Sequence, residues 1–307
     1  MATRPGTRLE WLTVGGLASG NPLRLPVHTI AGARPGPTVG LVAGIHGDEV
    51  PPVEAVRRVV AGLDPAELRG AMRVLPVANP LALEALTRHT PQDMQNLNRV
   101  FPGDSEGWLT ERLADVIATR FLPGLDALLD LHAGGLFPTV AYAYILNDEA
   151  LSRATGCHVL YRPAAGYAGT LSEVAVARGI PTVVTELGGG LLADEAYVAR
   201  GVAAVLGALR HLGALPGAPT PDPAPLVTER LAILRPREGG LLVPEARVED
   251  LGAVVPEGQV LGRTYSPYTL AEVERFTAPF ARTILVLLRG TVTLVRPGDY
   301  AYMLGEG

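Results

Sequence analysis

Two histidines and two glutamates are the residues of this sequence that could together bind a metal ion and activate water. His46 and Glu49 are three residues apart, whereas His132 and Glu186 lie far downstream. Two histidines and one carboxylate form a typical catalytic zinc set, because they leave one coordination position open. Zinc lowers the pKa of bound water to about 7. A further carboxylate can then take the proton of the water and pass it to the leaving group. We therefore predict His46, Glu49 and His132 as zinc ligands and Glu186 as the acid–base residue.

Each of these residues also has a structural explanation. A His-x-x-Glu spacing by itself is a weak motif. His132 could be a buried histidine with satisfied hydrogen bonds, and Glu186 could cap a helix or pair with an arginine. The metal hypothesis therefore depends on whether the fold brings the four residues together.

The candidate residues follow apolar runs that predict buried strands. These runs are Thr38–Ala43, Ala127–Leu131 and Pro181–Thr185. In an open parallel sheet, ligands bind outside the carboxyl ends of the strands. The sequence therefore predicts that all four residues meet at one edge of a sheet.

Strands that alternate with helical segments predict an α/β fold with a mostly parallel mixed sheet flanked by helices. Val50–Leu63 and Asp194–Leu212 are two of the predicted helices, and Asp194 could cap the second. Residues 214–225 are rich in proline and predict a linker. The predicted domains are a catalytic domain (1–213) and a small all-β, barrel-like domain (226–307).

A polar loop between Thr87 and Gly103 adds a possible substrate contact. Arginine presents a planar fork that suits carboxylates, and asparagine adds neutral hydrogen bonds. Arg88, Asn98 and Arg99 on this loop would suit an anionic substrate and a developing oxyanion. These arginines could equally pair with surface carboxylates.

Composition excludes several classes of function. The formal net charge of -5 does not favour nucleic-acid binding, and no apolar run reaches the roughly 20 residues of a membrane span. Cys157 is the only cysteine, so internal disulfides and multi-cysteine metal sites are excluded. The chain has no lysine, which excludes Schiff-base chemistry and covalent lipoyl or biotinyl attachment. A cytoplasmic location is expected, because the N-terminal residues do not resemble a secretory signal.

Four motifs together resemble the succinylglutamate desuccinylase/aspartoacylase family, which belongs to the zinc carboxypeptidase superfamily. The motifs are Gly-Ile-His46-Gly-Asp-Glu49, Asn98-Arg99-Val-Phe-Pro-Gly, Asp130-Leu-His132 and Thr-Glu186-Leu-Gly-Gly. The resemblance covers most of the chain and implies a zinc-carboxypeptidase-like fold.

The resemblance also implies roles and a reaction. Asn98 and Arg99 would hold a substrate carboxylate, and Arg88 would stabilise the tetrahedral oxyanion. The zinc enzyme would hydrolyse the amide bond of a small N-acylated amino acid or related amine. Aspartoacylase carries further arginines for the second carboxylate of its substrate, and no match for them is found here. The acyl group and the amine therefore stay open.

The C-terminal module resembles a lipoyl-type β-barrel and could cover the active-site mouth or form a homo-oligomer interface. We expect a small-molecule partner rather than a nucleic acid or a membrane. Two alternatives remain, a zinc carboxypeptidase that acts on peptides and a non-catalytic binding protein on the same fold. The second would require loss of a ligand or of the base, and none is lost.

Overall fold

The main element of the fold is a mixed sheet of 13 strands, accompanied by a second sheet of four strands. The computed structural model describes residues 6–189 and 195–307. Within these ranges the strands are β1 (Gly6–Gly16), β2 (Pro22–Ala31), β3 (Arg34–Val42), β4 (Arg69–Leu75), β5 (Ala127–His132), β6 (Thr139–Tyr144), β7 (Val159–Tyr161), β8 (Thr182–Gly189), β9 (Leu226–Thr228), β10 (Leu231–Leu234), β11 (Gly240–Pro244), β12 (Val254–Pro256), β13 (Val260–Tyr265), β14 (Glu272–Thr277), β15 (Arg282–Leu288), β16 (Thr293–Val295) and β17 (Tyr302–Glu306). The α-helices are α1 (Val50–Gly62), α2 (Pro80–Ala85), α3 (Leu109–Val116), α4 (Glu149–Ala154), α5 (Leu171–Ala177) and α6 (Glu195–His211). A π-helical turn, Ile117–Phe121, follows α3, and two short 3-10 helices span Leu97–Arg99 and Val248–Asp250.

The centre of the large sheet is parallel. Strands β4, β3, β5 and β8 lie side by side in that order and run in the same direction. Strand β6 follows β8 in the antiparallel direction, and β15 pairs with the other edge of β6. The carboxyl ends of β3, β5 and β8 therefore lie next to one another, as the positions of the candidate residues predict.

Alternating side chains of the central strands bury two cores on opposite faces of the sheet. On β5, Leu129 and Leu131 pack with helices α1, α4 and α6. Leu128 points to the other face, where α3 and α5 supply the partners. Helices on both faces of a mixed sheet confirm the predicted α/β class.

Most predicted elements of the catalytic region are present with ends displaced by a few residues. Helix α1 begins at Val50, and its two prolines lie in the first turn, where their missing N–H groups are not needed. Helix α2 was not predicted, because its six residues are too few to show a helical period. The predicted cap residue Asp194 lies outside the described residues.

The C-terminal strands contribute to both sheets. Strands β15, β17, β10 and β12 continue the large sheet beyond β6, and β9 joins it through β7. Strands β14, β13, β11 and β16 form the separate four-stranded sheet, which supports the expected small β domain. The boundaries at 213 and 226 stay a prediction.

None of the described helices combines the length and apolar character that crossing a membrane requires.

Candidate metal centre and active site

The turn from β3 into α1 places His46 and Glu49 in the interior. Both side chains are almost fully buried, and Glu49 occupies the position just before the helix. The turn passes so close to α2 that a Cβ on Gly47 would lie 1.9 Å from the carbonyl carbon of Ala82. Only glycine fits there, which explains why Gly47 stands between His46 and the acidic pair Asp48 and Glu49.

His132 and Glu186 are brought together by strand register. They are direct neighbours on the parallel strands β5 and β8. Tyr142 is in turn the direct partner of Glu186 on the antiparallel strand β6. One cross-strand row on one face of the sheet therefore contains the histidine, the carboxylate and a tyrosine.

His46, Glu49 and His132 form a compact cluster. Nδ1 of His46 lies 2.8 Å from Oε1 of Glu49, and Nδ1 of His132 lies 2.9 Å from Oε2 of the same carboxylate. Three possible ligand atoms, one from each residue, lie within 4.8 Å of one another. The backbone N–H of Ala133 also donates to Oε2 of Glu49, at 3.1 Å, and holds the carboxylate in place.

The other nitrogen of each histidine ring, Nε2, faces an oxygen atom that can only accept a hydrogen bond. Oδ1 of Asn96 accepts the backbone N–H of Asn98 at 2.9 Å, so Nε2 of His46, 3.1 Å away, must donate to it. Nε2 of His132 lies 3.3 Å from the carboxylate oxygen Oδ2 of Asp130 and donates as well. In neutral rings the Nδ1 lone pairs then face the carboxylate of Glu49.

Lone pairs that face a carboxylate require a positive charge between them. Either a proton on the ring or a metal cation can supply it. Imidazole nitrogens held by hydrogen bonds at the opposite ring position are the usual arrangement of metal-bound histidines. The donor set and its spacing therefore fit a divalent cation such as zinc.

Burial and charge perturb the pKa values of the cluster. Burial alone would raise the pKa of Glu49, but the two histidines lower it well below its usual value. Burial lowers the pKa of His46. For His132 burial acts in the same direction, yet the carboxylates of Asp130 and Glu49 raise its pKa well above the usual value.

The pKa of Glu186 is shifted in the opposite direction from that of Glu49, mainly because of burial. Burial raises its pKa to about 8, with further upward contributions from Glu49 and Asp130 and opposing ones from His132 and Arg88. A carboxyl group with a raised pKa beside a possible metal site can both accept and donate a proton.

The three residues of the polar loop occupy different environments. Nη1 of Arg88, on a side chain that is 41% exposed, donates to Oε1 of Glu49 at 3.0 Å. Asn98 is buried, with Oδ1 accepting the backbone N–H of Leu171 at 2.9 Å and Nδ2 3.5 Å from Nε2 of His132. Arg99 is exposed, and Nη1 donates to the backbone carbonyl of Asn98 at 2.6 Å. The structure thus brings Arg88 and Asn98 to the cluster, with Arg99 beside them.

Asp130 belongs to the Asp130-Leu-His132 motif of the sequence hypothesis, and its carboxylate contacts His132. That hypothesis did not include Asn96, although Asn96 contacts His46 and lies in the same polar loop. It also did not include Tyr142, because nothing local in the sequence indicates that β6 lies beside β8.

The catalytic region is similar in sequence to known proteins. Residues 35–212 match the family model of the succinylglutamate desuccinylase/aspartoacylase catalytic domain. The N-alpha-acetyl-L-2,4-diaminobutyric acid deacetylase of Halomonas elongata is 33% identical over 257 residues, which is 78% of this chain and 74% of the relative. The succinylglutamate desuccinylase of Pseudomonas paraeruginosa is 42% identical over 106 residues, which is 34% of this chain and 28% of the relative.

A solved structure also matches over nearly its whole length. It is the product-bound structure of the ectoine utilization protein EutE (DoeB) from Ruegeria pomeroyi, at 26% identity and a TM-score of 0.86. The match covers 100% of this chain and 97% of that chain.

Proposed function

The chain belongs to the succinylglutamate desuccinylase/aspartoacylase family, and we propose that it is a zinc-dependent deacylase of small N-acylated amino acids. The observation that carries the proposal is the buried cluster of His46, Glu49 and His132 with Glu186 beside it. Relatives named as a deacetylase and a desuccinylase support hydrolysis of an amide bond.

His46, Glu49 and His132 would hold the zinc ion, with Nδ1 as the ligand atom of each histidine ring. Zinc held there would supply Lewis-acid chemistry, polarising a carbonyl group and lowering the pKa of water. Asp130 and Asn96 would keep the two rings oriented, since they hold the opposite nitrogens.

Glu186 would move the proton during hydrolysis. In its ionised form it takes a proton from water as the water oxygen attacks the amide carbonyl carbon. It then gives that proton to the nitrogen as the C–N bond breaks, so the products are a carboxylate and an amine. A positive charge at the neighbouring cluster would lower the raised pKa of Glu186 and favour the ionised form that begins the reaction.

The arginines would bind the negative charges of substrate and transition state. Arg99 is exposed and has no carboxylate partner among the ion pairs of the described residues, which leaves its guanidinium available for the substrate carboxylate. Asn98 lies next to it and would add a hydrogen bond from its amide. Arg88 lies at the cluster through Glu49 and would stabilise the oxyanion.

The proposal is tested by loading the chelator-treated protein with zinc and assaying release of amine from a panel of N-acyl amino acids. N-α-acetyl-2,4-diaminobutyrate is the first compound to test, because it is named for the relative from Halomonas elongata. We expect one zinc per chain and turnover that requires the metal. We expect Glu186→Gln to bind zinc but to lose most of the turnover, about 100-fold or more.

Glu257→Gln is the matched control, since Glu257 is exposed at a turn of the C-terminal strands. A zinc content near zero after loading, or full turnover by Glu186→Gln, would refute the proposal. Cleavage of peptides but not of N-acyl amino acids would instead favour the carboxypeptidase alternative.

A further inference from the structure

Four tyrosines continue the candidate active site across the same face of the sheet. We call Tyr142, Tyr144, Tyr161 and Tyr167 the tyrosine patch. Tyr142 is the cross-strand partner of Glu186, and Tyr144 lies two residues further along the same face. Tyr161 on β7 is the direct partner of Tyr144. The patch therefore begins at the acid–base residue and extends away from the cluster.

The four side chains contact one another through rings and hydroxyl groups. The ring of Tyr144 lies 5.2 Å from that of Tyr142, 5.5 Å from that of Tyr161 and 6.0 Å from that of Tyr167, between ring centroids. The hydroxyl oxygens of Tyr142 and Tyr144 are 3.0 Å apart, and those of Tyr161 and Tyr167 are 3.5 Å apart. Tyr167 is 44% exposed, so the patch reaches the surface.

The hydroxyl groups of Tyr142 and Tyr144 are neutral and lie near the carboxylate of Glu186. Burial raises the pKa values of Tyr142 and Tyr144 well above normal, and the carboxylate of Glu186 raises them further, so the hydroxyls stay neutral. In the described part of the chain, the arginines that stack on aromatic rings lie over rings outside the patch. Arg162, next to Tyr161 in sequence, pairs with two glutamates.

An aromatic ring carries negative charge density on its face and attracts a cation placed over it. Hydroxyl oxygens and a nearby carboxylate attract a cation as well. A substrate carboxylate would find no arginine partner in the patch and would be repelled by Glu186. The patch thus differs from the loop side of the site, where Arg88 and Arg99 are positioned for anionic groups.

We propose that the tyrosine patch binds the side-chain ammonium group of an N-acylated diamino acid. This inference rests on the proposed deacylase function and adds the part of the substrate that the patch selects. The α-carboxylate would face Arg99, the acyl amide would face the cluster and Glu186, and the cationic side chain would extend over the exposed face of Tyr167.

The test compares two substrates that differ in charge alone at the end of the side chain. N-α-acetyl-2,4-diaminobutyrate ends in an ammonium group, and N-acetylnorvaline has a methyl group in its place. We expect kcat/KM of the zinc-loaded enzyme to favour the cationic substrate by about tenfold, within the range of cation–π interactions. Tyr167→Leu should reduce this preference to near unity, whereas Tyr167→Phe should retain most of it.

Tyr268→Leu is the matched control, because Tyr268 is 94% exposed in the β13–β14 turn. It should keep the full preference. An equal or higher kcat/KM for N-acetylnorvaline would overturn the proposal and indicate an apolar subsite. An equal loss of kcat/KM for both substrates in Tyr167→Leu would overturn it too, because the ring would then act on the site as a whole.

Binding of the product amino acids keeps the inference testable even if no turnover is found. Calorimetry of the zinc-loaded protein with 2,4-diaminobutyrate and with norvaline should give about tenfold tighter binding of the first, lost in Tyr167→Leu. Absent turnover with this binding preference intact would refute the deacylase function alone. Turnover of both substrates without a binding preference would refute the tyrosine patch alone.

Discussion

Replacing Glu186 by glutamine should make the metal-free protein more stable, and increasingly so as the pH rises. Burial raises the pKa of Glu186 to about 8 from an ordinary value of 4.5. The folded protein therefore holds a proton on this carboxyl group in a pH range where the unfolded chain releases it. Glutamine has nearly the same shape and no ionisable group. The free energy of unfolding of the variant therefore does not fall with rising pH because of this site.

The sign follows from proton binding. Between pH 4.5 and about 8 the folded state binds more protons at this site than the unfolded state, so stability falls as the pH rises. Each pH unit of difference corresponds to about 1.4 kcal/mol, and the whole range to about 5 kcal/mol at most. Because the Glu186 side chain is partly exposed and His132 lies beside it, we expect the stability difference between the variant and the wild type to grow by roughly 2–3 kcal/mol over this range.

The measurement is denaturant unfolding of chelator-treated wild type and Glu186→Gln at pH 5, 6, 7, 8 and 9. The stability difference should be small at pH 5 and grow in favour of the variant up to about pH 8. Glu257→Gln should show no such trend. A difference that is independent of pH, or that favours the wild type at high pH, would refute the argument that burial raises this pKa.

Three further substitutions test other contacts of the catalytic region. Asp130→Ala should weaken zinc affinity about 10- to 100-fold, because it releases the ring of His132; unchanged affinity in a chelator competition would contradict this. Asn79→Ala removes a buried 2.9 Å hydrogen bond to Thr90 and the cap of α2, so the free energy of unfolding should fall by about 1–3 kcal/mol in denaturant titrations. Arg99→Ala should raise KM for N-acyl amino acids roughly 10- to 100-fold. An equal loss with an analogue that lacks the carboxylate would argue against this contact.

Much of the fold could be predicted from local sequence pattern. The apolar runs that become β3, β5 and β8 are short and compact, and the helical period of Val50–Leu63 is clear. Helix α2 and strand β17 were not found. The first is too short to show a period, and the strongly buried residues of the second are held by pairing with β15 and β10 rather than by a local pattern.

The sequence by itself determined which residue types could bind a metal and that they lie at or near the ends of apolar strands. His46, Glu49, His132 and Glu186 could be named because residues close to a strand end in sequence stay close to it in the fold, although β8 continues to Gly189, three residues beyond Glu186. This placement holds whichever strands become neighbours, provided that the strands are parallel.

Only the tertiary structure decided what lies beside these residues. The row of His132, Glu186 and Tyr142 exists because β8 pairs with β5 on one edge and with β6 on the other. The tyrosine patch depends in addition on β7 pairing with β6. Such pairings join residues far apart in sequence, and a register shifted by one residue would turn every side chain to the opposite face. The electrostatic character of the site is therefore a property of strand order and register.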